Sequence, residues 1–383
     1  MNSIPSYMKS TNIKQRYELL DGLRGVAALM VIIYHVFECF PMETWIIGHG
    51  YLAVDFFFIL SGFVIGYAYD DRWGKGGMTF GQFAKRRLIR LHPMVVFGVV
   101  IGLVCFLIQG AEGWDGTKAT TSAIMISTLL ALFLIPNAPG GIGEVRGNGE
   151  MFPLNGPHWS LFFEYIGNIL YGLLIRRFST KTLAIWTGIL GVFFVRFFLS
   201  DPAGYGNIGY GWTLADNGFI AGLLRMLFSY SIGLLLCRVF KPLKIRGAFW
   251  ICTLIIIVFL SIPMINIIDG ASWDNSLYEI LCVIVVFPAV VWIAASGTTS
   301  DRRSTAICDF LGQISYPIYA IHYPSMYLFY KYIGFPETWR TPSECWPVMV
   351  ALVVGNVILA YIILKLYDLP VRKWLTKKII DKQ

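Results

Sequence analysis

Apolar residues gather into eleven long runs along the chain, and short polar or basic segments separate one run from the next. The runs have fifteen to twenty-two residues each, and a helix of about 20 apolar residues crosses the hydrocarbon core of a membrane. The pattern therefore predicts an all-α protein that crosses a membrane many times. Pro263 and Pro288 lie inside two of the runs and are expected to kink those helices. The runs fall near 25–40, 51–69, 92–109, 122–136, 159–175, 181–200, 218–237, 249–268, 277–297, 309–330 and 346–367.

Basic residues are distributed between the runs in a way that predicts the topology. Placing six basic segments in the cytosol accounts for 25 of the 31 Lys and Arg residues, as the positive-inside rule expects. An even number of crossings must separate 70–92 from 176–181, yet three runs lie between them. The run 122–136 is the shortest and reaches about 23 Å as a helix, less than a ~30 Å core. We therefore expect about ten transmembrane helices, with 122–136 re-entrant or interfacial and both termini cytosolic. In the alternative, 92–109 is the run that does not cross.

The composition excludes an ordinary soluble protein. Charged residues make up 14% of the 383 residues and hydrophobic residues 56%, whereas soluble domains carry about 25% charged residues. We predict a single membrane domain over 1–383, with a cytosolic tail at 1–20 and a basic cytosolic tail at 372–383. The formal charge of +8 follows from the cytosolic loops, so we expect no nucleic-acid partner. Metal-ligand spacings, a nucleophile elbow, a P-loop and a dinucleotide fingerprint are absent from the sequence, so we expect no metal.

The first apolar run carries two ionisable side chains that lipid does not tolerate easily. Arg24 and His35 are eleven residues apart, which is about three helical turns and roughly 16 Å along one helix face. Ionisable groups inside a span are candidates for function, although Arg24 alone fits a cytosolic anchor and His35 alone fits a buried structural histidine. Glu38 follows three residues later and either orients the imidazole or lies at the far interface. His322, inside a later run, is interpreted as structural.

The second run combines a carboxylate with two small residues. Asp55 needs a partner at this depth, and Arg24, His35 or an arginine of another span could provide it. Ser61 and Gly62 interrupt a bulky aromatic stretch. Small residues in a span usually permit close helix packing, and here they could also let a narrow ligand tail pass.

A pair of arginines follows the second run. Arg87 and Arg90 lie on one helix face at i and i+3. Guanidinium groups bind phosphate oxygens in a bidentate manner, so the pair, together with Arg24, could form a phosphate clamp on the cytosolic side. Ordinary positive-inside charge is the alternative.

The motif "PHWSLFFEY" opens the fifth run on the far side of the membrane. Ser160 and Glu164 share a face at i and i+4, and Trp159 is either an interfacial anchor or a stacking surface for a sugar. Glu164 acts on the substrate or pairs with an arginine of a neighbouring span, Arg196 or Arg225. The preceding glycine-rich loop, 137–158, is long and is expected to be flexible, so it could form a lid over an acceptor site.

These motifs, taken in order, resemble the membrane acyltransferase 3 family, the bacterial O-acyltransferases of polysaccharides and related glycans. The resemblance extends from about residue 18 to residue 374. Two departures concern acidic residues: the motif around Glu164 has one acid where many members have two, and Asp368 stands where glutamate is common. The motifs that carry the resemblance are "LDGLRGVAALMVIIYHVF", "GYLAVDFFFILSGFVIGYAY", "RRLIRLHP", "WSLFFEY", "LGQISYPIYAIHYP" and "YDLPVRKW".

The resemblance implies a ten-span fold in the bacterial inner membrane and transfer of an acyl group, usually acetyl, from cytosolic acyl-CoA to a hydroxyl of a glycan or lipid-linked saccharide. Acyl-CoA is then a co-substrate, and no permanently bound cofactor is expected. The acceptor, the acyl group and the oligomeric state stay open. By this hypothesis Arg24, Ser61, Gly62, Arg87 and Arg90 bind acyl-CoA, His35 and Glu164 are catalytic, and Asp55, Trp159 and Ser160 bind the acceptor.

Two other functions compete with this hypothesis. A transporter or permease would also use histidine, glutamate and arginine within kinked spans, but the sequence shows no repeat. A scaffolding subunit would not explain the polar motifs. Within the acyltransferase hypothesis, His35 acts either as a general base on the acceptor hydroxyl or as a nucleophile that carries the acyl group transiently.

Overall fold

The computed structural model describes residues 17–74, 77–265, 274–299, 301–335, 337 and 340–380. Within these ranges the chain is helical, and β structure is limited to three isolated bridges, which confirms the predicted all-α class. Most of the predicted N-terminal tail, together with Lys75 of the basic segment 70–92 and the last three residues of the C-terminal tail, lies outside the described residues.

Fourteen α-helices are seen in the described ranges, and each of the eleven apolar runs contributes to at least one of them. Two single π-helical turns join α9 to α10 and α13 to α14. The helices are α1 Glu18–Phe37, α2 Ala53–Gly74, α3 Phe80–Ile108, α4 Thr121–Leu132, α5 His158–Leu173, α6 Thr180–Leu199, α7 Gly218–Val239, α8 Ala248–Ser261, α9 Asp274–Leu281, α10 Phe287–Ser296, α11 Arg302–Ile321, α12 Tyr323–Ile333, α13 Pro342–Ile363 and α14 Leu369–Ile379.

Helix length distinguishes the segments that can cross a membrane. Among the described residues, seven helical stretches are long and apolar enough to do so. The 29 residues of α3 span about 43 Å, whereas the 12 residues of α4 span only about 18 Å. This difference favours 122–136, rather than 92–109, as the run that does not cross. The count of ten spans and the cytosolic termini stay predictions.

The two prolines predicted to kink helices differ in outcome. Pro288 lies in the first turn of α10, directly after the π-helical turn Cys282–Val286, so this run is distorted as expected. The expected kink at Pro263 is wrong, because α8 already ends at Ser261. The run 309–330 divides at His322, where Pro324 opens α12.

Close contacts between glycines and a neighbouring backbone hold the central helices together. A Cβ added to Gly62 of α2 would overlap the carbonyl oxygen of Tyr230 in α7. In return, a Cβ added to Gly233 of α7 would overlap the carbonyl oxygen of Ile59 in α2. The two helices therefore touch backbone to backbone, as small residues allow in membrane proteins.

Candidate active site

Two cavities lie next to each other within the helices. The first, which we call the arginine cavity, has a volume of about 180 Å³ and is lined by Arg24, Arg87 and Arg90. The second, the histidine cavity, has a volume of about 290 Å³ and is lined by His35. Val54 and Tyr319 line both cavities. The wall of the histidine cavity also includes Glu38, Asn148, Glu150, Trp159, Trp212 and Tyr323. Eight of the ten predicted site residues thus line one of two cavities that meet at a shared wall, whereas Asp55 and Gly62 line neither.

His35 stands in the last turn of α1 with a carboxylate behind its imidazole. Its Nδ1 lies 2.8 Å from Oε2 of Glu38. Because a carboxylate only accepts, the ring donates its Nδ1 hydrogen, and in the neutral imidazole the lone pair is then on Nε2. The other carboxylate oxygen, Oε1, accepts hydrogen bonds from the hydroxyls of Tyr323 at 2.9 Å and Tyr330 at 2.8 Å. Of the two alternatives for Glu38, the geometry matches the one in which its carboxylate contacts the imidazole.

A second histidine packs against the first. The rings of His35 and His322 stack with centroids 5.3 Å apart. The Nδ1 of His322 donates to the backbone carbonyls of Ile318 at 3.2 Å and Tyr319 at 3.0 Å, and the side chain is fully buried. This placement supports the structural interpretation of His322, whose ring packs against that of His35.

Two of the three arginines in the arginine cavity are already paired with carboxylates. Arg24 Nη1 lies 3.2 Å from Oδ1 of Asp21, and Arg87 Nη2 lies 3.1 Å from Oε1 of Glu164. Arg90 sits over the ring of Tyr316 at 5.9 Å. The expected pairing of Glu164 with Arg196 or Arg225 is wrong, because a residue of the basic motif reaches it instead. The positive charge of this cavity is correspondingly reduced.

Glu164 and His35 line different cavities, so the structure does not bring the two predicted catalytic residues together. The hydroxyl of Ser61 donates to Oε1 of Glu164 at 2.7 Å, which places Ser61 and Glu164 in the arginine cavity beside Arg87. Gly62 points the other way, into α7. Gly62 therefore permits close helix packing, whereas Ser61 lines the arginine cavity.

Trp159 and Ser160 sit on either side of the shared wall. Trp159 lines the histidine cavity, while Ser160 lines the arginine cavity. The Ser160 hydroxyl is 2.5 Å from the hydroxyl of Tyr319, and the Tyr319 ring packs edge-on against Phe57 with centroids 5.4 Å apart. The first turn of α5 thus contributes to both spaces and holds the side chain that separates them.

Asp55 has a partner within the protein. Its Oδ2 lies 2.6 Å from Nη2 of Arg225, and both side chains are fully buried. The guanidinium also donates to the carbonyl oxygens of Tyr210 at 2.9 Å and Tyr51 at 3.2 Å. A partner from another span was one of the predicted possibilities, and it is the one found. Asp55 is not among the residues that line either cavity, so the predicted contact with the acceptor has no support in this arrangement.

The glycine-rich loop adds two side chains that the sequence analysis did not single out. Asn148 and Glu150 line the histidine cavity. Glu150 accepts hydrogen bonds from the hydroxyl of Tyr327 at 2.5 Å and from Nδ2 of Asn148 at 3.0 Å, and burial raises the pKa of its carboxyl. The only signal in the sequence is an Asn-x-Glu triplet within a loop already proposed to cover an acceptor site.

Buried contacts tie the glycine-rich loop to the helices and segments around it. Arg146 is fully buried, with its guanidinium 3.5 Å from the centre of the Tyr327 ring and its Nη1 2.9 Å from Oε1 of Gln109. The backbone of Met151 also bonds to Trp212 at 2.9 Å. The loop therefore forms a fixed wall of the histidine cavity.

The arrangement suits acyl or proton transfer by an imidazole. A histidine with a carboxylate on Nδ1 and a lone pair on Nε2 can accept a proton from a hydroxyl or attack a carbonyl carbon. Within the described ranges, the structure shows no group of three or more His, Cys, Asp and Glu residues placed to hold a metal ion.

Comparison with known proteins identifies the family. The family model described as "Acyltransferase domain" matches residues 17–365. "Protein 2 in picA locus" of Rhizobium radiobacter is 35% identical over 172 residues, which cover 44% of this chain and 86% of that protein. "Putative membrane-bound transacylase BcsY" of Komagataeibacter xylinus is 25% identical over 82% of this chain and 74% of its own length.

Longer relatives also match. "Putative O-acetyltransferase SACOL0978" of Staphylococcus aureus is 24% identical over 342 residues, 82% of this chain, and the chain spans about half (51%) of that protein's length. No solved structure matches. Because the family model covers nearly the whole chain, including both cavities, the chain belongs to the membrane acyltransferase 3 family.

Proposed function

We propose that this protein transfers an acyl group, most simply acetyl, from cytosolic acyl-CoA to a hydroxyl of a glycan or lipid-linked saccharide. The observation that carries the proposal is the pairing of His35 with Glu38 at the wall of one cavity, directly beside a second cavity lined by arginines. A two-substrate transfer needs such an arrangement, because donor and acceptor must approach one base from two sides.

The donor would occupy the arginine cavity. Arg24, Arg87 and Arg90 supply guanidinium groups at its wall, and the Ser61 hydroxyl lies among them. Glu164 holds Arg87 and Ser61 in place through its Oε1. This assignment gives Glu164 a positioning role in the donor cavity in place of the catalytic role expected from the sequence.

The acceptor would occupy the histidine cavity. Trp159, Trp212 and Tyr323 offer ring faces on which a sugar can stack. Asn148 and Glu150 offer an amide and a carboxylate for sugar hydroxyls. This mixture of ring faces and hydrogen-bonding groups supports a saccharide over a purely apolar acceptor.

The chemical step follows from the tautomer of His35. Its Nε2 accepts the proton of the acceptor hydroxyl as that oxygen attacks the thioester carbonyl, and the carbon–sulfur bond breaks to release CoA, whose sulfur takes the proton. In the alternative, Nε2 itself attacks the carbonyl, CoA leaves as the thiol, and the acyl group passes from the ring to the hydroxyl in a second step. In both, the Glu38 carboxylate stabilises the positive charge that develops on the imidazole.

The printed names of the relatives support the class of reaction. An O-acetyltransferase of Staphylococcus aureus and a membrane-bound transacylase of Komagataeibacter xylinus, both so named provisionally, share most of this chain's length. A multi-pass location in a bacterial inner membrane accords with these names and with the apolar helices. Family membership also favours an enzyme over the transporter alternative.

The test is acyl transfer by the purified protein in lipid nanodiscs, with radiolabelled acetyl-CoA and an oligosaccharide extract as acceptor. We expect His35→Ala to lower the rate by roughly 10²- to 10⁴-fold, the usual contribution of a general base. His92→Ala is the matched control, because His92 lies outside both cavities and bonds to Tyr165. Activity of His35→Ala within tenfold of the wild type would contradict the proposal.

A further inference from the structure

A third cavity is strongly basic. It lies between α3 and α14, has a volume of about 790 Å³, and is lined by ten residues, of which five are basic and none is acidic. We call it the basic groove. Its basic residues are Arg86, Arg90, Arg372, Lys373 and Lys377.

The charge balance distinguishes the basic groove from the arginine cavity. In the arginine cavity, Asp21 and Glu164 each lie within ion-pair distance of an arginine. Three arginines and two carboxylates leave this cavity with a formal net charge of +1. Among the described residues of the groove wall, Arg372 forms an ion pair, with Asp368 at 2.9 Å. A multiply charged anion is therefore attracted more strongly to the groove than to the arginine cavity.

Arg90 connects the two spaces. It lines both the arginine cavity and the basic groove. Three arginines, Arg24, Arg87 and Arg372, raise the positive potential at its side chain, and the single carboxylate of Asp368 offsets them in part. Like charges gathered at one point cost free energy unless an anion compensates them. An elongated ligand with its anionic end in the groove and a neutral arm in the arginine cavity would match this distribution.

We propose that the basic groove binds the 3′-phosphorylated ADP end of acyl-CoA, while the arginine cavity receives the pantetheine arm; this inference rests on the proposed function. CoA carries a diphosphate and a 3′-phosphomonoester, and a phosphomonoester alone bears roughly −1.5 to −2 charges at neutral pH. The arginine and lysine side chains of α14 thus have a ligand-binding role beyond the positive-inside rule. The shared chemistry is phosphate, which the headgroup of an anionic lipid also offers.

The two sources of phosphate differ in one measurable respect. The test compares the dissociation constants of CoA and 3′-dephospho-CoA by calorimetry, with the purified protein in nanodiscs of phosphatidylcholine alone or mixed with phosphatidylglycerol. We expect the wild type to prefer CoA by roughly tenfold or more, since one charge-assisted phosphate contact is worth about a factor of ten. This preference should appear in neutral lipid and persist when the anionic lipid is present.

Variants of α14 locate the effect. Lys373→Gln combined with Lys377→Gln should reduce the preference for CoA to less than threefold. Lys378→Gln is the matched control on the same helix, because Lys378 lies over the ring of Trp374 at 4.8 Å and does not line the groove; it should retain the full preference. A thermal melt of each variant checks that it is folded.

The outcomes separate this inference from the proposed function. Equal affinity of the wild type for CoA and 3′-dephospho-CoA, with acyl transfer intact, overturns the groove assignment alone. The groove assignment is also overturned if the double variant keeps the preference for CoA. Loss of CoA binding in nanodiscs that contain phosphatidylglycerol would likewise overturn it and would assign the groove to lipid. A wild type that neither binds CoA nor transfers an acyl group overturns the proposed function itself.

Discussion

At the scale of single residues, the environment of His35 explains why this imidazole, rather than the three fully buried histidines, suits chemistry. His49 has a carboxylate on Nδ1 as well, from Glu279 at 2.9 Å. His158 bonds through Nε2 to an asparagine at 3.1 Å, and His322 is held by backbone carbonyls. None of the three lines the histidine cavity. His35 combines a cavity position with a carboxylate on Nδ1. The sequence made this histidine a candidate for function and offered the orienting carboxylate as one of two alternatives.

Glu38→Gln should lower kcat for acyl transfer by roughly 100-fold and leave KM for acyl-CoA unchanged, because the carboxylate acts on the developing imidazolium and not on the donor. The glutamine amide can still orient the His35 ring, so the fall in kcat measures the contribution of the carboxylate's negative charge. Steady-state kinetics in nanodiscs provide the two constants. Glu112→Gln is the control, since Glu112 lies on a loop and pairs with Lys118 and Lys331. A rise in KM with unchanged kcat would assign Glu38 to binding instead.

At the scale of the helices, the hydrophobic pattern located every apolar run correctly but misjudged several ends. The helix predicted over 92–109 begins at Phe80, because Thr79 and Gln82 form a capping box and the basic residues that follow are good helix formers. Hydropathy identifies only the apolar part of a helix, so the polar first turns of α3 were not included in the predicted run. The π-helical turn at Leu364–Asp368 has no hydrophobic signature at all, so the pattern could not predict it.

Gly62→Ala should destabilise the protein by roughly 1–3 kcal/mol, because the new methyl group overlaps the Tyr230 carbonyl and forces α2 and α7 apart. Gly355→Ala in α13 is the matched control, as nothing lies within 4 Å of a Cβ there. Replacing that glycine should be neutral or slightly stabilising. Thermal unfolding in detergent, followed by size-exclusion chromatography, compares the two. Equal melting temperatures would show that the helices separate without cost.

At the scale of the whole molecule, the pairings between distant residues could not be predicted from sequence. Asp55 and Arg225 are 170 residues apart, and Arg87 and Glu164 are 77 apart. Each needed a partner, and the sequence offered several. The choice depends on which helices become neighbours, and hydrophobic periodicity contains no information on that order.

Asp55→Ala should destabilise the protein by roughly 3–5 kcal/mol, since it leaves a buried guanidinium uncompensated. The pair also fastens Tyr51 and Tyr210, so its loss loosens both α2 and the segment before α7. Combining Asp55→Leu with Arg225→Met should recover much of the stability, because an apolar pair of similar volume removes the charge. Melting temperatures in detergent test both. If Asp55→Ala were as stable as the double variant, the guanidinium of Arg225 would have to be solvated by water, contrary to this prediction.

Under the proposed function, the wall shared by the two cavities also separates the two sides of the membrane. A protein hollowed from both faces of a bilayer would short-circuit the proton gradient if its two hollows joined. Val54 and Tyr319 stand at that junction, and the Tyr319 hydroxyl is tied to Ser160. Under the proposed function, an acyl group would cross such a barrier while ions and water are retained, so that synthesis outside the cytosol need not discharge the membrane.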